Sequence, residues 1–198
     1  MEFALARTRG QAEYQEAFAD CLDIAKNMRS MVDNLLMLAR LDAGQIHPHN
    51  EAVAVADIIY ECWRLHAPKA VGRSIVFCNA LPPTLEVRAD RGILLLVVSN
   101  LLANAAEYVN DGGQVRIELI RERPMEICFS NTGCGLTAEQ VPHVFERFQR
   151  GDVARTSAGV HCGLGLALVQ RAMLAIGGQA KAAVREGGVF VIELTFPE

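Results

Sequence analysis

Asn100 and Asn104 lie four residues apart in the otherwise apolar run 93–106. The run holds strong helix formers and no Gly or Pro, and Asp90 stands where an N-cap belongs, so the pattern predicts a helix. At 3.6 residues per turn both carboxamides leave that helix from one face, one above the other. Burying a carboxamide without a partner costs about 1–3 kcal/mol, so something polar must meet this face. A carboxamide oxygen is a hard, neutral ligand, suited to Mg2+ that keeps some of its waters and is also held by nucleotide phosphates. The competing reading is an Asn pair that caps a loop or bonds a neighbouring backbone. Three further stretches follow: Asn131-Thr-Gly133-Cys-Gly135, Val144-Phe145-Glu146-Arg147-Phe148-Gln-Arg150 and Gly159-Val-His-Cys-Gly163-Leu-Gly165-Leu. Each alone is a weak signal, and a lone GxG is mostly a turn. Their order and spacing together are specific.

In that order the four stretches resemble the N box, G1 box, F box and G2 box of the ATP-binding domain of bacterial sensor histidine kinases, over residues from about 50 to 198. The resemblance implies ATP and Mg2+ as ligands. It makes Asn104 the metal ligand, with Asn100 organising the site from one turn earlier. Tyr108 matches the aromatic that closes the N box, its ring near the ribose and its hydroxyl within reach of a phosphate; a half-buried core tyrosine is the plain alternative. Glu107 departs from the pattern, because many relatives carry a cation there. A carboxylate beside a triphosphate repels it by on the order of 1 kcal/mol. Glu107 therefore points to solvent, joins the metal shell, or acts as a base, and the last role places it among the catalytic candidates with Asn100 and Asn104.

Asn131 stands where most relatives carry an Asp that accepts a hydrogen bond from the adenine amino group. Asn offers an acceptor and a donor, and the same side chain flipped matches guanine, so weaker discrimination between adenine and guanine is expected. Gly133 and Gly135 let the backbone turn tightly beside the base. Phe145 and Phe148, three apart on an expected short helix, pack beneath the lid that follows; Arg147 and Arg150 are exposed candidates for phosphate contact. The small, polar segment from Gln149 to Cys162 is expected to be mobile until a nucleotide orders it. Gly163-Leu164-Gly165-Leu166 opens a helix whose free N–H groups can cradle phosphates. Cys162 replaces a frequent Thr with a poorer donor, and His161 reads as a lid residue.

The elements that must position these residues follow from periodicity. From Gln11 to Leu41 there is no Gly or Pro, and Phe18, Leu22, Ala25, Met28, Val32, Leu35 and Ala39 recur at steps of three and four. That spacing is the seam of a helix that packs on other helices and needs a helical partner. The phrase from Asn34 to Gly44 also resembles the second helix of the kinase family's dimerisation hairpin, with Met1–Ala6 the tail of a first helix and Thr8–Gly10 the turn. The expected organisation is a hairpin remnant over 1–45, a linker over 46–52 and a nucleotide-binding domain over 53–198. In that domain, helices are expected over 53–65 and 164–176, and strands over 74–78, 84–87, 114–120, 125–130, 181–185 and 189–196. Gly187-Gly188 marks the last hairpin. Such a mixture predicts an α+β fold, a two-layer sandwich with a mixed sheet covered on one side by helices. The resemblance implies the same sandwich, the Bergerat ATP-binding fold.

Half the residues are hydrophobic, so a substantial core is available. A net charge of −4 argues against a nucleic-acid partner held by a basic surface. Six cysteines form no CxxC pair and show no zinc spacing, which reads as reduced thiols in the cytoplasm. No stretch is long and apolar enough to span a bilayer, so membrane attachment is expected only through upstream segments. None of the five histidines, at 47, 49, 66, 143 and 161, sits in a phosphoacceptor phrase. The resemblance places the acceptor on an upstream helix and implies a homodimer through the hairpin and a response regulator as partner. Three readings stand: the catalytic part of a sensor histidine kinase, a nucleotide-binding regulatory module of low or no activity, and a non-kinase relative such as an anti-sigma-type serine kinase or gyrase-like ATPase. The helix ending in Leu38-Ala39-Arg40-Leu41-Asp42 counts against the third.

Overall fold

A computed structural model describes residues 10–149 and 163–197. The Gly- and Pro-free segment forms one helix, α1 (Gln11–Asp42), with the Glu13 carboxylate reaching back to the Gly10 N–H. Its expected seam faces outward: Phe18 is 72% exposed and Met28 64%. A different face meets the rest of the chain. There Leu38 is buried in a small cluster with Leu164 and Leu168, joined by Met31 and Leu41. Asp42 closes this junction with ion pairs to Arg147 and, at 3.1 Å, to Arg171.

Beyond the linker the chain runs β1 (Glu51–Ala54), α2 (Val55–Trp63), α3 (Ala67–Gly72), β2 (Val76–Asn79), β3 (Glu86–Ala89), α4 (Arg91–Tyr108), β4 (Gln114–Glu122), β5 (Met125–Asn131), α5 (Gly165–Ala175), β6 (Gln179–Arg185) and β7 (Val189–Thr195). Five strands form a mixed sheet in the order β2-β4-β5-β7-β6, with β2 parallel to β4 and the other pairs antiparallel. β1 and β3 pair separately as an antiparallel ribbon. Alternation sorts the main sheet. Val115, Ile117, Ile127, Phe129, Ile192 and Leu194 are buried in one core with α2, α4 and α5. The other face carries polar pairs such as Arg116–Glu118 and Arg185–Glu193. This is the expected two-layer α+β sandwich.

Two expectations need correction. Residues 53 and 54 belong to a strand rather than to the following helix, because β1 pairs with β3, a contact no local pattern encodes. No helix spans Phe145 and Phe148: a single 3₁₀ turn covers Val141–His143, and Phe148 adopts a positive φ of 65°. Residues 1–6, the expected tail of a preceding helix, lie outside the described residues.

Candidate functional site

Both ends of α4 are fixed by side chains. At its start Asp90 accepts from the Ile93 N–H at 3.0 Å and, with its second oxygen, from the His49 N–H of the linker at 2.9 Å. These amides hold the Asp90 carboxyl below the usual carboxylate range. At its end the Arg73 guanidinium donates to the carbonyls of Ala106 and Val109 and pairs with Asp111 at 2.7 Å. A helix terminus otherwise leaves such carbonyls without partners.

Between these anchors the two asparagines differ. Asn100 Nδ2 donates to the Leu96 carbonyl at 2.8 Å, so its amide is committed and its oxygen remains. The neighbour-bonding reading thus holds for the Asn100 amide and leaves its oxygen unused. The Asn104 carboxamide has no hydrogen-bond partner among the described residues. Both line a cavity of about 110 Å3, which Tyr108 also borders.

Gly163, Leu164, Gly165 and Leu166 form the facing wall. Gly163 has φ +69, and a Cβ there would sit 2.8 Å from the Gln149 carbonyl oxygen. Its own carbonyl accepts from the Phe148 N–H at 2.9 Å. Gly165 is the first residue of α5, and a Cβ on it would come within 3.0 Å of Asn100 Oδ1. Glycine therefore lets the N-terminus of α5, with its free N–H groups and positive dipole end, close on the asparagine face. A third wall is Asn27, Ser30, Met31 and Asn34 of α1. Among the described residues no charged side chain lines the cavity, so an anion meets dipoles and donors without a carboxylate to repel it.

Asn131 is 4% exposed at the end of β5 and does not border this cavity. Its Nδ2 donates to the Thr132 carbonyl at 3.2 Å, which leaves Oδ1 without a partner among the described residues. The carboxamide is held in one orientation: one Nδ2 hydrogen is engaged, while Oδ1 and the second Nδ2 hydrogen remain. The adjoining loop docks on Asn110, whose Oδ1 accepts from Thr132 Oγ1 at 2.7 Å. A Cβ at Gly133 (φ +86) would lie 2.7 Å from three Asn110 atoms. Gly135 has no such need, since a Cβ there meets open space.

Other expectations shift. Glu107 faces away from the cavity lining and pairs with Lys69 of α3 at 3.4 Å. Phe145 packs against the core, but Phe148 is 59% exposed and does not lie beneath anything described. Arg147 pairs with Asp42. Arg150 and Cys162 lie outside the described residues. Sequence reasoning passed over Asn27, Ser30 and Asn34, although polar residues at i, i+3 and i+7 beside an apolar helical seam were a readable sign. Arg73 and Asn110 carried no such sign.

Three comparisons place this architecture among known proteins. Sensor histidine kinase CusS of Escherichia coli K12 is 29% identical over 196 residues, covering 98% of this chain and 40% of that protein. Sensor-like histidine kinase SenX3 of Mycobacterium tuberculosis H37Rv is 34% identical over 169 residues, covering 84% and 41%. The chain thus spans about 40% of the length of these relatives. Full-length ShkA, crystallised with AMPPNP, superposes with a TM-score of 0.72 at 26% identity, over 96% of this chain and 40% of that one. Residues 89–198 match the family of histidine kinase-, DNA gyrase B- and HSP90-like ATPases, a stretch that holds α4 with its asparagines, the Asn131 loop and the opening of α5. More than half of the chain carries that match, and with it the chain belongs to this ATPase family and contains its ATP-binding domain.

Proposed function

We propose that this chain is the ATP-binding and catalytic part of a sensor histidine kinase, moving the γ-phosphoryl group of ATP to a histidine on another helix. The observation that carries the reading is the convergence of Asn100, Asn104 and the glycine-permitted backbone at 163–165 on one uncharged cavity. Asn131, with its free acceptor, holds the adenine amino group away from that cavity. The relatives' names and the AMPPNP in ShkA support the same reading.

The donor set fits Mg2+. Among the described residues no three His, Cys, Asp or Glu side chains are grouped to hold a metal. A lone carboxamide oxygen beside a phosphate cradle instead suits a cation that draws its remaining ligands from phosphates and water. Asn104 would hold it, with Asn100 Oδ1 on the adjacent turn, and when bound the ion neutralises charge on the β- and γ-phosphates. The chain's own contribution is alignment: the α5 N-terminus receives phosphate oxygens, Tyr108 flanks the ribose, and Asn131 orients the base. Gly133, Gly135, Leu164 and Leu166 shape the backbone around them. Phe148, Arg150 and Cys162 complete the nucleotide contacts implied by the family pattern. Glu107 acts as a base only by leaving Lys69.

The outward seam of α1 calls for a second copy of the chain, since Phe18, Leu22, Met28 and Val32 are all exposed here. We assign the donor role to a cytoplasmic signalling pathway that ends on a response regulator. No helix among the described residues is long and apolar enough to cross a membrane. Titration calorimetry with Mg2+ and a non-hydrolysable ATP analogue should give saturable heat, strongly reduced in Asn104→Ala. Transfer of labelled phosphate to a relative's acceptor-bearing hairpin should follow the same pattern. No heat from the parent protein overturns the reading, and binding without transfer points to a regulatory module.

A further inference from the structure

The cavity at the asparagine face has a wall that the ATPase domain does not supply. Asn27, Ser30 and Asn34 project from one side of α1 at steps of three and four and line it opposite Asn100, Asn104 and Gly163. None of the three side chains has a hydrogen-bond partner among the described residues. The helix is held over the cavity from its C-terminal end, by Leu38 in the cluster with Leu164 and Leu168 and by Asp42 on Arg147 and Arg171. From Asp42 to Asn27 is about 22 Å along the helix axis at 1.5 Å per residue. Met31 in the same cluster lies between the lining positions, so the helix is seated along this wall of the cavity.

The chemistry of this face is selective. Asp23 and Asp33 of α1 turn outward and pair with Lys26 and Arg29, with side chains 71% and 66% exposed. The positions that meet the cavity carry two carboxamides and a hydroxyl, which donate hydrogen bonds to an anion and bring no charge to repel it. A volume of about 110 Å3 is well short of the ~300–1,000 Å3 of a pocket for a whole small molecule. Asn131, the base-side residue, lies outside it. On the nucleotide reading, a cavity bordered by the glycine-permitted start of α5 and not by Asn131 corresponds to the phosphate end.

We propose that Asn27, Ser30 and Asn34 bind the phosphate oxygens of the nucleotide, so that a bound di- or triphosphate bridges α1 and the ATPase domain. This rests on the nucleotide reading given above. It makes nucleotide affinity depend on α1 docking, and α1 docking on the number of phosphates.

The test measures dissociation constants for AMP, ADP and a non-hydrolysable ATP analogue, with Mg2+, on the parent, on Asn27→Ala/Ser30→Ala/Asn34→Ala and on Asn34→Asp. All three positions face the cavity from an otherwise exposed helix, and circular dichroism checks that α1 persists. The alanine variant should bind the ATP analogue at least about tenfold more weakly, the loss of one hydrogen bond to a charged oxygen. Asn34→Asp should lose more, and AMP should bind all three proteins alike. Equal ATP-analogue affinity in parent and variants overturns the proposal, as does tighter binding by the alanine variant, which would make α1 an obstruction. A parent that binds no nucleotide at all fails the underlying reading instead.

Discussion

Asn131 makes base selection measurable. One of its Nδ2 hydrogens is held by the Thr132 carbonyl at 3.2 Å, and the residue is 4% exposed, so rotation of the amide would set oxygen against oxygen. On the proposed nucleotide reading, Oδ1 is the fixed acceptor offered to the base. Adenine presents an amino donor at that position, whereas guanine presents its O6, a second acceptor. A neutral hydrogen bond is worth about 0.5–1.5 kcal/mol and an unpaired buried acceptor costs about 1–3 kcal/mol. Taking about 2 kcal/mol for the difference, ADP should bind about thirtyfold more tightly than GDP. Calorimetry with both nucleotides at one magnesium and salt concentration reads this directly. Asn131→Ala removes the acceptor and should bring the two affinities within about threefold, chiefly by weakening ADP. The backbone pairing of residue 131 with Val115 and Phe190 does not involve the side chain, so the fold survives the substitution. Equal binding of ADP and GDP by the parent, or an unchanged preference in Asn131→Ala, would refute the argument.

Three further outcomes are expected. Glu107→Gln should alter Mg·ADP affinity by less than about threefold, because Glu107 is engaged by exposed Lys69 and such pairs contribute about 0–1 kcal/mol; a large loss would return it to the metal shell. Gly133→Ala should cost about 1–3 kcal/mol in urea unfolding, through a left-handed backbone and collision with Asn110, while Gly135→Ala should be near neutral. Asp90→Ala should cost about 1 kcal/mol at pH 7, as a lost N-cap does. Since the folded Asp90 carboxyl is held below its unfolded value of about 4, its contribution is complete above that pH and fades as the pH falls through the folded value. The gap between parent and Asp90→Ala should therefore close in acid, and a gap independent of pH would contradict this assignment.

The long elements were legible because each has one dominant period. The seam of α1, the apolar run of α4 and the hairpin at Gly187-Gly188 all emerge close to their expected bounds. β1 escaped because its four residues are a strand only by pairing with β3 more than thirty positions away. Phe145 and Phe148 have helical spacing, but the positive φ of Phe148 and its bond to Gly163 are set by a loop closure that spacing does not report. In the site, Asn100 and Asn104 stood out as polar residues in an apolar helix. Asn27 and Asn34 did not, because a polar residue on a partly exposed helix looks solvated until the facing wall is known.

α4 is apolar on nearly all sides: Ile93, Leu94, Val97, Val98, Leu101, Leu102, Ala105 and Ala106 are buried against sheet and helices alike. Turning it by one residue, about 100°, would drive both carboxamides into hydrocarbon and push leucines into the cavity. The angular setting of Asn104 is thus locked by the same packing that keeps the domain folded. Variation that retunes this site must come from loops and the neighbouring helix, for the pivot itself has no freedom to spare.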